Sequence, residues 1–406
     1  MNDLRESSQD APEISFAARL RELALLFLKL GAISVGGPAA HIALIETEIV
    51  QKRKWVTRER FLDMLGAANL IPGPTSTEMA INTGFVRAGW PGLCVAGACF
   101  ILPAALITGA FAWAYVRYGS QPQAMSVLAG IKPAVVVIIA IAIWRLGKTA
   151  VKDVGLAGLG VLSLAAFLLG VNPIIILFGG GVLGMLLRKA AAYRSASSCF
   201  LPFLRPRPFP SSLLLLRTGI VASVAIGTVA VRPSISQIGL FFLKVGAVLY
   251  GGGYVLLAFL QQGLVQQHSW LTQQQLLDAV AIGQFTPGPV LSTATFIGYI
   301  LGGAPGAAVA TIGIFLPSFF YVALLAPVLF RLRKSAWIAA FLDSVNVCAV
   351  ALMAGVTFRL GVDALRGWPS WIIALASVAV LLRWKISPAW VVLGGGLAGF
   401  LLAALR

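Results

Sequence analysis

Apolar runs alternate with short polar connections along almost the whole chain, and the runs come in two lengths. Those near 91–117, 123–145, 154–171 and 173–189 read as membrane crossings, as do those near 305–331, 336–358, 368–383 and 386–405. The runs before each set are shorter and interrupted. Segments 20–36 and 39–51 flank Gly36-Gly37-Pro38, and segments 58–70 and 75–88 flank Pro72-Gly73-Pro74. The same interruptions return at Gly251-Gly252-Gly253 and Pro287-Gly288-Pro289. Half-helices of this size are too short for a comfortable span of roughly 20 residues. Each pair predicts a re-entrant hairpin or broken helix with its break inside the membrane.

The pattern is a duplication. Shifting the chain by 215 residues lays Phe27-Leu-Lys-Leu-Gly-Ala on Phe242-Leu-Lys-Val-Gly-Ala. Trp55 falls on Trp270, Asp63 on Asp278, and Pro72-Gly73-Pro74 on Pro287-Gly288-Pro289, with 17 identities over the 48 positions 27–74. With one-residue adjustments the register continues through Pro103 and Pro317, Arg145 and Arg359, and Pro173 and Pro388. Composition bias does not hold register over such a length, so two copies are expected.

Loop charges predict that the copies face opposite ways. The 52–60 loop carries Lys52, Arg53, Lys54, Arg58 and Arg60, while its counterpart at 267–275 has no Lys or Arg. The 117–123 loop carries only Arg117, against Arg331, Arg333 and Lys334 in its counterpart; the 171–173 connection is neutral, against Arg383 and Lys385. Basic loops stay cytoplasmic, so the copies insert in opposite orientations, as in many secondary transporters. Arg359 and Arg366 fit this scheme badly. The expected division is a cytoplasmic tail at 1–19, a first copy at 20–189, a basic cytoplasmic loop at 190–212, a linking transmembrane helix at 213–231 and an inverted second copy at 232–406. The fold class is an all-α polytopic membrane protein: two inverted-topology repeats with broken or re-entrant helices, joined by one extra helix. Four spans per copy plus the linker make nine; counting short segments gives up to 13.

Composition agrees. The 406 residues are 59% hydrophobic and 11% charged, whereas soluble domains carry about a quarter charged residues. That excludes a large soluble enzyme. A net charge of +17 would suggest nucleic acid in a soluble chain, but here it reflects cytoplasmic loops beside anionic lipid. The N-terminal stretch lacks the basic start and apolar core of a signal peptide. Cys94, Cys99, Cys199 and Cys348 have no metal-type spacing, and no cofactor is expected. Gly179-x-Gly181-x-x-Gly184 matches a dinucleotide fingerprint but lies within a span without a preceding strand, so close helix packing is the better reading.

The chemistry concentrates at the breaks. A helix restarting after Pro-Gly-Pro presents free N–H groups and its positive dipole end, which bind anions. The expected substrate-binding set is Gly36, Gly37, Asn69, Pro72, Gly73, Pro74, Ser76 and Thr77 in the first copy. In the second it is Gly251, Gly252, Gln284, Pro287, Gly288, Pro289, Ser292 and Thr293. Lys29 and Lys244, at one repeat position in apolar segments, join it as intramembrane charges, against the alternative of snorkelling to the interface. Asp63, Glu78 and Asp278 are coupling or structural acids. Arg87, Arg145 and Arg359 lie near segment ends and read as interface anchors, and His41 as a buried polar contact. Such a site suits a compact oxyanion. A membrane-embedded enzyme or sensor is the distant alternative, without a nucleophile–base pair to support it.

At these residues the chain resembles the chromate ion transporter family in its long two-domain form. The resemblance rests on LFLKLGAISVGGPAAHIALIE, the Trp55 to Asp63 stretch, NLIPGP followed by STE, GFVRAGWPG and FILP. The second copy adds KVGAVLYGGGYVLL, GQFTPGP and FLP. The resemblance implies chromate efflux giving chromate resistance at a bacterial inner membrane, with sulfate uptake or chromate/sulfate exchange as the alternative. Family members usually have Phe-Gly-Gly where Val35 and Tyr250 precede the glycines, and commonly Gln at Glu78. A homodimer is compatible with the Gly-rich spans.

Overall fold

The computed structural model describes residues 15–35, 37–197, 233–250, 253–325, 335–384 and 386–404. Gly36, Gly251, Gly252, the 213–231 segment and most of the 190–212 loop lie outside the described residues. Among those described, the structure is all helix with no strand. It is an all-α polytopic membrane protein, with four helices among the described residues long and apolar enough to cross a membrane.

The first copy runs α1 (Phe16–Ile33), α2 (Pro38–Glu46), α3 (Arg58–Ala68), α4 (Thr75–Tyr118), α5 (Pro122–Ala150), α6 (Val154–Leu168) and α7 (Pro173–Ser197). The second runs α8 (Ile235–Val248), α9 (Leu256–Leu260), α10 (Gln273–Phe285), α11 (Thr293–Leu325), α12 (Ala336–Ala364), α13 (Trp368–Arg383) and α14 (Pro388–Ala404). Helix starts are set locally. The Thr57 hydroxyl accepts from the Arg60 N–H, and its repeat mate Thr272 forms a capping box with Gln275.

The two copies share backbone irregularities as well as sequence. α2 continues as a π-helical stretch, Thr47–Lys52, and α9 as Gln261–Gln267. Lys54 and Ser269, 215 residues apart, both have φ 51°. α4 is broken at Ala88–Gly89, where Gly89 takes φ 62°, and α11 at Gly302–Gly303, where Gly303 takes φ 62°. Glycine permits this left-handed conformation without a Cβ penalty. The breaks are sharp turns. Gly84 and Gly92 would lie about 12 Å apart along a straight helix, yet a Cβ on Gly84 would collide with the Gly92 carbonyl. Gly298 and Gly306 repeat the arrangement. Thus the short helices before Ala88 and Gly302 fold back on the long limbs that follow.

Small residues let the helices close in. α1 packs on α4 through Gly31 against the Phe100 carbonyl, and α8 on α11 through Gly246 against the Ile314 carbonyl. The copies also exchange partners: α5 packs against α13 and α14, while α12 packs against α6 and α7. The Gly-rich triplets serve these seams. Gly181 and Gly184 meet Phe341 and Ser344 on α12, and Gly395 and Gly399 meet Gly130 on α5. This is the packing role expected for the fingerprint-like motif.

Candidate functional site

The breaks of the first copy build one wall of a large cavity. At the first, Gly37 precedes α2 with φ 84°, and Pro38 opens the helix with no side-chain cap. At the second, Pro74 precedes α4, again with no side-chain cap. The N–H groups of Thr77 and Glu78 turn back to the Pro74 carbonyl. The Thr75 hydroxyl donates to the Asn69 side-chain oxygen at 3.4 Å. Pro38, Asn69, Gly73 and Thr75 face a space of about 980 Å³. Its other walls come from α5 (Ile138, Ala142, Arg145, Thr149), α12 (Asn346, Val350) and the segment from Leu381 to Pro388.

Its charges are unevenly paired. At the rim, Lys152 contacts Asp343 at 2.7 Å, and Arg188 bridges Asp343 and Asp153 at 2.9 Å each. Arg145 lines the same cavity, is exposed to it, and has no ion-pair partner among the described residues. Its repeat mate Arg359 is anchored instead, donating to the Leu168 carbonyl at 3.3 Å and lying over the Phe167 ring. Arg145 read from sequence as an interface anchor; the structure places it on the cavity wall. Its position near a helix end gave no signal for this.

Behind the wall, Glu78 is fully buried and neither carboxyl oxygen has a hydrogen-bond partner. A Cβ on Gly73 would strike Glu78 Oε1, with Ser318 Oγ close by. The hydroxyls of Thr77 and Ser318 are also buried without a partner. Ser76 lies 3.4 Å from His41 Nδ1, a buried polar contact as expected.

The chain aligns with the chromate transporter family model twice, over residues 21–185 and 236–400. It is 34% identical over 94% of its length to the chromate transport protein of Cupriavidus metallidurans, of which it covers 92%. The chain belongs to the chromate transporter family. It is also 32% identical to a probable chromate transport protein of Synechococcus elongatus, with 91% of each chain covered. A chromate transport protein of Pseudomonas aeruginosa is 29% identical, with 92% and 90% covered. No solved structure matches.

Within this family member the two copies treat their breaks differently. The Pro-Gly-Pro break of the second copy is packed away from the cavity. Gly288 abuts Ala104 and Gly31, Ser292 accepts from Thr108 at 3.2 Å, and Thr293 donates to the Val290 carbonyl at 2.8 Å. Gln284 and Pro289 are buried beside them, and Pro287 is half-buried. The two lysines lie apart from the cavity. Lys29 is exposed and 3.8 Å from Glu48, which also holds Lys52 and Arg53. Lys244 lines a separate pocket of about 470 Å³ with Gln237, Gln262, Gln267 and His268. Asp63 is half-buried on α3. Asp278 is buried on α10, 3.2 Å from Lys132 and 2.9 Å from the Tyr115 hydroxyl. Lys132, overlooked in the sequence, had a usable signal as a cation far from either end of a 29-residue apolar helix.

Proposed function

We propose that this multi-pass membrane protein is a secondary transporter that exports a compact tetrahedral oxyanion, chromate in the first place, across a bacterial plasma membrane. Sulfate, a tetrahedral dianion of the same charge, is the alternative substrate. The observation that carries the reading is Arg145, without an ion-pair partner among the described residues, on the wall of a cavity where the uncapped starts of α2 and α4 converge. A free guanidinium and helix-start N–H groups are the donors an oxyanion requires. The relatives that are chromate transport proteins supply chromate as the ion.

Arg145 carries the full charge, and Asn69 and Thr75 add side-chain hydrogen bonds. Gly37, Gly73, Pro74, Ser76 and Thr77 shape the helix starts. The matching residues of the second copy, Gln284, Pro287, Gly288, Pro289, Ser292 and Thr293, complete the site when the protein opens the other way. Glu78 is the coupling candidate. Lys29 and Lys244, off the cavity, act on approach and departure of the ion. The cavity opens beside the connections at 151–153 and 384–387, which loop charge assigns to the cytoplasm. Substrate then loads from inside. A dianion leaving through 100 mV, inside negative, gains about 4.6 kcal/mol, so export needs no other energy source at modest gradients.

Flux of radiolabelled chromate and sulfate in proteoliposomes, with potential and pH set independently, tests this. Chromate export that rises with inside-negative potential is expected. Chromate flux indifferent to potential, or absent while sulfate moves, would overturn the assignment.

A further inference from the structure

A second charged constellation lies away from the cavity and joins the two copies. Lys132 of α5 and Asp278 of α10 approach to 3.2 Å, with side chains only 8% and 2% exposed. Tyr115 of α4 donates to the other carboxylate oxygen of Asp278 at 2.9 Å. Two residues before Lys132, Gly130 is pressed against Gly395 and Gly399 of α14. The pair therefore sits in the tight seam between α5 of the first copy and the second copy.

Repeat symmetry gives this seam a counterpart. Asp278 matches Asp63, and Lys132 matches Asn346 in the register that aligns Arg145 with Arg359. At that matched place the protein is open: Asn346 is exposed and lines the 980 Å³ cavity, and Asp63 is half-buried. One of the two equivalent places is closed over a buried ion pair, while Asn346 at the other faces a cavity.

We propose that Lys132, Asp278 and Tyr115 form the gate that seals the protein on the side away from the cavity, and that they separate when the cavity closes. This rests on the transport reading above. A buried ion pair suits a gate. It adds little net stability, yet removing either partner strands the other charge in an apolar seam and is strongly destabilising. Opening becomes acceptable only where water reaches both charges, which makes closed and open distinct states. The asymmetry between copies fits as well. Asn346 carries no charge, so the cavity-side seam lacks a counterpart of Lys132 and closes less firmly.

The test uses full-length protein in membranes with its four cysteines replaced by serine. A single cysteine at Ala281, three residues beyond Asp278 on α10 and 1% exposed, reports the gate to an impermeant thiol reagent added on the His268 side. A cysteine at Thr149 reports the cavity from the opposite side. Asp278→Asn and Lys132→Met are each expected to raise labelling at 281 about tenfold or more and to lower it at 149. The exchanged pair Lys132→Asp with Asp278→Lys should restore protection at 281. Should the single variants fail to insert, Tyr115→Phe removes only a hydroxyl and is expected to raise labelling severalfold. Unmoved labelling at 281 in inserted variants, or an exchanged pair that labels like the singles, overturns the gate. Labelling needs no substrate. Loss of chromate flux in the unaltered protein with these shifts present would therefore count against the substrate and leave the gate standing.

Discussion

The backbone N–H of Gly288 donates to the carbonyl of Ser34 at 2.7 Å, tying the Pro-Gly-Pro break of the second copy to the Gly break of the first. The two breaks thus share one buried junction. Movement of either would be felt by the other.

Arg145 and Arg359 are the same residue twice in sequence and differ in surroundings. Arg145→Gln is expected to lower chromate flux about tenfold or more, the scale of a lost charge-assisted hydrogen bond. Arg359→Gln, whose guanidinium rests on Phe167 and the Leu168 carbonyl, should change flux less than about twofold. Equal effects in vesicle flux measurements would remove Arg145 from the site.

Gly31 and Gly246 hold equivalent crossings against the carbonyls of Phe100 and Ile314. Backbone cannot yield as a flexible side chain can, so Gly31→Val and Gly246→Val should each cost about 1–3 kcal/mol. Thermal unfolding in detergent is expected to show similar losses in both. A loss confined to one copy would mean the crossings are not equivalent.

Loop charge predicts opposite sides for Arg53 and His268, although the two occupy matching backbone positions after a π-helical stretch. Single cysteines there should react with an impermeant reagent from opposite faces of the membrane. Labelling of both from one face would mean parallel copies.

Asp153 caps α6 outside the spans. The hydrogen bond from the Leu156 N–H, seconded by the Arg188 guanidinium, holds its carboxyl below the usual carboxylate range. A depressed folded pKa means its stabilisation is complete above the unfolded pKa and fades as pH falls through the folded one. Asp153→Ala should lower Tm by about 1–3 °C near neutral pH, with the gap from the unaltered protein closing in acid. A gap that stays constant in melts down to about pH 3 would contradict this.

The duplication, the short interrupted helices and the membrane setting were legible in the sequence because each depends on local pattern. Apolar run length, Gly and Pro at the breaks, and 17 identities between 27–74 and its mate survive without knowledge of contacts. The matching φ of Lys54 and Ser269, and of Gly89 and Gly303, are the backbone form of the same local information. What each charged side chain faces was not legible. Lys29 and Lys244 lie in apolar segments and yet point away from the cavity. Arg145 lies near a helix end and yet points into it. Lys132 has no ionisable repeat mate, and its partner Asp278 is far off in sequence on the other copy. Sequence periodicity says how a helix is patterned but not which helix of the other copy it meets. That pairing, and with it the cavity and the buried ion pair, arises only when α5 and α12 cross into the opposite half, because burial and charge neutralisation are properties of the packed seam and of no single segment.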